Sequence, residues 1–211
     1  MNLMWNGLGY QRIGRLLLIL LGLGLFGGMA DHVVRNGSTV RLDVEIDQLL
    51  QVSQIRQPLH SGLRLISLAG TELIFVVSLP LVAYLVWRRR LRECGLLLLA
   101  VGGGETASLL LKLLFARQKT MSAEPLDTLS NYMFPSGHAM MSFVFYGLIT
   151  HVIVRRVISW RWRALLVTTT TSVVLLIGFS QLVVGGHYMS DVLAGYAAGL
   201  VWLVLTIMVA R

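Results

Sequence analysis

Two short stretches of this chain hold residue types that can do chemistry together. The first is Pro135-Ser136-Gly137-His138, where a polar loop runs into an apolar segment. That change predicts a helix start, with Pro135 in the first turn, where its missing N–H has no partner to lose. Ser136 and Gly137 then offer a hydroxyl and closely approachable backbone N–H groups at the positive end of the helix, an arrangement that binds anions such as phosphate. His138, just inside, is placed to hand a proton to a departing oxygen. A serine at such a position also reads simply as an N-cap.

The second stretch is Gly185-Gly186-His187-Tyr188-Met189-Ser190-Asp191. His187 and Asp191 are four apart and share a face if this turn is helical. A carboxylate beside an imidazole fixes its tautomer and stabilises the cation formed when the other nitrogen reacts. Histidine is itself a competent covalent nucleophile. The competing reading is an interfacial histidine with Asp191 capping the next helix. A third group, Lys112, Arg117 and Lys119, leaves the end of an apolar run together. A lysine within reach of the hydrocarbon region is costly and marks function, or else it snorkels to lipid headgroups.

The elements that must position these residues are membrane helices. Of 211 residues, 55% are hydrophobic and 13% charged, a composition outside the soluble range. Apolar runs long enough to cross a bilayer recur along the chain, at about 14–30, 68–87, 94–115, 136–154, 164–184 and 191–210. Residues 1–211 are therefore expected to form one integral membrane domain. The first run, with Arg12 and Arg15 before it and Gly28-Met29-Ala30 after it, reads either as a retained span or as a cleavable signal peptide. Between Asp31 and Ser67 an amphipathic pattern (Leu42, Val44, Ile46, Leu49, Leu50) predicts one or two helices lying on the surface. Gly102-Gly103-Gly104 in the third run permits close approach of another helix.

The net charge of +8 does not point to nucleic acid, because the arginines fall in short clusters between apolar runs, where membrane topology explains them. With six spans, Arg12/Arg15, Arg88 to Arg92, Arg155 to Arg163 and Arg211 all fall on one side. By the positive-inside rule that side is cytoplasmic, with both termini. The two histidine stretches and the Lys112 group then share the outer face. Cys94, the single cysteine, excludes an internal disulfide and any cysteine-based metal site.

In these motifs the chain resembles the type 2 phosphatidic acid phosphatase superfamily, the membrane relatives of vanadium haloperoxidases and bacterial acid phosphatases. That family carries Lys, six residues, Arg-Pro; then Pro-Ser-Gly-His; then Ser-Arg, five residues, His, three residues, Asp. The second motif is intact at Pro135 to His138, and the third matches at Ser180, His187 and Asp191. The first is recognisable from Lys112, but its Arg-Pro is Lys119-Thr120 here, and the arginine of the third is Gln181. Neither Lys nor Gln reproduces the two-pronged arginine donor; Arg117 is a candidate to restore part of the positive field.

The resemblance implies an all-α, six-transmembrane-helix bundle with an outer-face active site, in the cytoplasmic membrane of a bacterium. It implies hydrolysis of a lipid phosphomonoester or diphosphate through a phosphohistidine on His187, oriented by Asp191, with His138 protonating the leaving oxygen. Lys112, Lys119, Ser136, Gly137 and Gln181 would hold the phosphate, and no metal or other cofactor is required. The membrane lipid is the expected partner; the sequence is silent on oligomeric state and on which lipid. Two other outcomes fit the altered arginines: a lipid phosphotransferase on the same scaffold, or a weakened member that binds lipid phosphate without turnover.

Overall fold

The protein, seen in a computed structural model, is described over residues 2–35, 38–52, 56–117, 132–184 and 186–210. Helices follow one another in the order α1 (Asn2–Val34), α2 (Ser38–Val52), α3 (Arg56–Leu68), α4 (Glu72–Trp87), α5 (Leu91–Leu98), a π-helical turn (Leu99–Gly103), α6 (Gly104–Phe115), α7 (Gly137–Val154), α8 (Trp160–Val183) and α9 (Met189–Val209). Among the described residues six stretches are long and apolar enough to cross a membrane: Tyr10–Val34, Ser61–Trp87, Leu91–Phe115, Gly137–Val154, Trp160–Val183 and Met189–Val209. The fold is the expected all-α, six-span bundle. The second stretch begins earlier than the apolar run suggests, because the end of α3 continues into it through a break at Ala69–Thr71.

Without water to drive apolar faces together, membrane helices rely on close backbone approach and scattered polar contacts. Both are evident. Helix α1 lies along α9, where a Cβ on Gly22 would sit 2.6 Å from the Val201 side chain and 3.1 Å from the Ala197 carbonyl oxygen. Helix α9 meets α7 through Gly195, where a Cβ would come within 2.5 Å of the Ser136 carbonyl oxygen. The glycine run of the third span admits the Trp202 indole of α9: a Cβ on Gly103 would lie 2.6 Å from its Cζ2, and its Nε1 donates to the Leu99 carbonyl at 3.1 Å. Thr150 and Thr170 join α7 to α8 at 2.5 Å, and the Tyr196 hydroxyl donates to the Val174 carbonyl at 2.7 Å. Contacts of this kind contribute about 0.6 kcal/mol each. Cys94 packs in the apolar core with Ile74, Leu97 and Phe145.

Helix α2 departs from its amphipathic reading. Leu42, Val44 and Leu49 are exposed, whereas Asp43 is buried at 2% exposure. The start of α7 also differs in detail. Ser136 is the N-cap and Gly137 the first helical residue, so Pro135 precedes the cap instead of occupying the first turn. The physical reason is that the serine hydroxyl can accept a helix-start amide, here Ala139 N–H at 3.5 Å, and so takes the cap position. Phe134 anchors this entry, fully buried with its ring 5.0 Å from Phe115 and 5.7 Å from Phe26.

Candidate active site

The C-terminal ends of α6 and α8, the N-terminal ends of α7 and α9, and the α3–α4 junction meet at one end of the bundle. Near the end of α6, Lys112 reaches the start of α7: a Cβ on Gly137 would lie 3.6 Å from its Nζ and 3.2 Å from Ser108 Oγ. An ammonium and a helix N-terminus thus converge, and their fields add for an anion placed between them. Ser136 is wholly buried, and its N–H donates to the Asp191 carbonyl at 2.9 Å. That bond joins the two histidine stretches, which lie two spans apart in the chain.

At the start of α9, Asp191 is 0% exposed and accepts the Tyr188 N–H on Oδ2 at 2.8 Å. His187 Nδ1 lies 4.0 Å from the same oxygen. The two residues are neighbours as expected, but for a different reason. Helix α9 begins only at Met189, so His187 precedes it, and the cap turn, not a shared helical face, brings the imidazole to Asp191. Asp191 therefore also fulfils the capping alternative. Helix α8 supplies the support beneath: the Gln181 carbonyl accepts from Gly186 N at 3.1 Å and from His187 N at 3.3 Å.

Arg117 and Gln181 have protein partners. Ala116, in the left-handed region at φ 44°, ends α6 and turns the chain. The Arg117 guanidinium then donates from Nη1 to Asp191 Oδ1 at 2.5 Å and to Ser190 Oγ at 2.8 Å, and from Nη2 to Asp43 Oδ2 at 3.1 Å. Its Cζ stands 4.9 Å over the Tyr188 ring. This cation, a candidate for the phosphate cradle, balances two buried carboxylates. The Gln181 amide donates to Ser67 Oγ at 2.6 Å. Lys119 lies outside the described residues.

His138 faces the α3–α4 junction, with Nε2 3.7 Å from Glu72 Oε2. A Cβ on Gly70 would lie 3.0 Å from both His138 Cβ and Cδ2, and 2.9 Å from Ile177 Cγ2. Gly70→Ala is therefore expected to push the imidazole off its position, with overpacking worth about 1–3 kcal/mol. Turnover should fall in the variant while the protein still folds, as read from its rate and thermal midpoint beside wild type. Asp43, Ser67, Gly70 and Glu72 were not among the residues singled out from sequence. They carry no motif spacing, and each meets the site only through the tertiary fold.

Comparison with known proteins bears on this arrangement. A family model described as PAP2 superfamily matches residues 94–211, more than half of the chain. The chain belongs to the PAP2 superfamily. Its fold is similar to the crystal structure of a transmembrane PAP2-type phosphatidylglycerolphosphate phosphatase from Bacillus subtilis, with a TM-score of 0.73 at 22% identity over 92% of this chain and 94% of that one. No curated protein sequence matches the chain. The PAP2 match takes in Lys112 and both histidine stretches, whereas α1 to α4, with Asp43, Ser67 and Glu72, precede it.

Proposed function

We propose that this PAP2 member is an integral membrane lipid phosphatase that removes phosphate from a lipid phosphomonoester or diphosphate through a phosphohistidine. The carrying observation is the convergence of Lys112 Nζ and the α7 start beside the Ser136–Asp191 backbone bond. It supports an anion site next to a histidine–carboxylate pair. Family membership supports lipid phosphatase chemistry at the coarse level.

In the proposed reaction Lys112, Ser136 and the α7 amides hold the phosphate oxygens, joined by Lys119. The His187 nitrogen remote from Asp191, Nε2, attacks phosphorus in line. As the P–N bond forms, the P–O bond to the lipid breaks and His138 gives its proton to the departing oxygen. Water then attacks the phosphohistidine, His138 takes back a proton, and inorganic phosphate leaves with His187 restored. Asp191 stabilises the imidazolium character that develops in both steps.

The arginine clusters Arg88 to Arg92 and Arg155 to Arg163 fall at the far ends of α4, α7 and α8, away from His138 and His187. Under the positive-inside rule we assign that end, with both termini, to the cytoplasm, and the site to the outer face of a bacterial cytoplasmic membrane. The whole chain would act as one membrane domain.

The test offers purified protein phosphatidylglycerol phosphate, phosphatidic acid and a polyprenyl diphosphate in detergent micelles. Phosphate release on at least one, well above a His187→Ala control, is expected. Release no greater than that control on all three would show the hydrolase reading to be wrong.

A further inference from the structure

We propose that Asp43 is a positioning residue of this site: from α2 it acts through Arg117 and Ser190 to hold Asp191 in place beside His187. The inference rests on the phosphohistidine reading above. Helix α2 inverts the usual rule for a surface helix. In α2 Leu42 and Leu49 face outward and an acid faces inward, and a buried carboxylate is retained only where it is paired and fully hydrogen-bonded.

Asp43 meets that condition entirely with site residues. Its Oδ1 accepts the Ser190 N–H at 2.9 Å, satisfying a first-turn amide of α9 from another helix. Its Oδ2 accepts the Ser190 hydroxyl at 2.5 Å and Arg117 Nη2 at 3.1 Å. Arg117 Nη1 closes the ring on Asp191 Oδ1 and Ser190 Oγ. Three side chains, Asp43, Ser190 and Arg117, therefore form one closed circuit, and Asp191, bonded to it through Arg117, is the group beside His187.

The circuit also has a charge balance suited to the reaction. One guanidinium sits between two carboxylates, formally one negative charge in excess, and the Oδ2 of Asp191 lies 4.0 Å from His187 Nδ1. Without Asp43 that balance becomes neutral, and the second arm of Arg117 loses its acceptor. The guanidinium is then able to rotate and draw Asp191 Oδ1 with it. Small displacements of an orienting group lower the rate without weakening substrate binding.

Asp43→Asn keeps shape and the Oδ1 acceptor but removes the charge and the acceptor for Arg117. We expect kcat to fall by about 10–10²-fold with KM little changed, and Asp43→Glu to recover part of the loss. Placed on Asp191→Asn, Asp43→Asn should lower phosphoenzyme formation no further, because the two act as one unit. An unchanged kcat, or an equal and additive loss in the Asp191→Asn background, would overturn the inference while leaving the phosphatase reading intact. Wild-type turnover no better than His187→Ala would remove both. Should Asp43→Asn fail to fold, Ser190→Ala, which breaks the circuit but keeps both carboxylates, is judged by the same criteria.

Discussion

Replacement of His138 by alanine is expected to lower turnover of a lipid phosphate ester by about 10²–10⁴-fold, and to cost far less on an activated aryl phosphate. The asymmetry follows from the proposed role. A lipid alkoxide is a poor leaving group and needs a proton as the P–O bond breaks; a nitrophenolate departs without one. His138 sits at the first turn of α7, next in the chain to Gly137, which faces the Lys112 ammonium, and packs against Gly70 and Glu72. His187→Ala removes the proposed nucleophile and so should suppress both substrates alike. Steady-state rates of the two variants on the two substrates decide the matter. Equal losses for His138→Ala on both would show that it does not protonate the leaving group.

Arg117→Met should destabilise the protein by about 3–5 kcal/mol, because it strands two buried carboxylates without their shared cation. In a chain of this size that is a fall in thermal midpoint on the order of 10 °C. A phosphate-gripping arginine predicts the opposite pattern, since its removal raises KM while stability holds or improves. Arg117→Lys should fall between, because one ammonium cannot span Asp43, Ser190 and Asp191 as the guanidinium fork does. Thermal unfolding in detergent, set beside KM for phosphatidic acid, separates the two roles. A raised KM with an unchanged midpoint would return Arg117 to the phosphate.

The contrast between these two residues explains what the sequence could and could not disclose. The bundle was legible because each span is a continuous apolar run, and bilayer thickness gives that length a meaning. His138 and Ser136 were legible because a loop-to-apolar boundary announces a helix start, and the field of that start is a local property. Arg117 was visible as a cation but not as a partner of Asp43 and Asp191, each 74 residues away. Asp43 was hidden among Asp31, Glu45 and Asp47, which look alike until the fold buries one of them. Amphipathic periodicity actively misdirected the reading of α2, because it assumes that a helix hides its leucines. For a helix bordering lipid the exposed face is free to be apolar, and the protein-facing side can be the polar one.

The π-helical turn at Leu99–Gly103 carries a consequence for phase. Such a turn accommodates one residue more than an α-helical turn, so everything after it is rotated by about 100° relative to an uninterrupted helix. Lys112 meets Gly137 on that advanced phase. Had the same residues, none removed, wound as a plain α-helix from Leu91, the lysine would point about a quarter-turn away from the helix start it now faces. The Trp202 indole, wedged at Gly103 and bonded to the Leu99 carbonyl, occupies the seam where that extra residue is stored. An aromatic ring deep in the bundle thus clocks a cation nearer the surface.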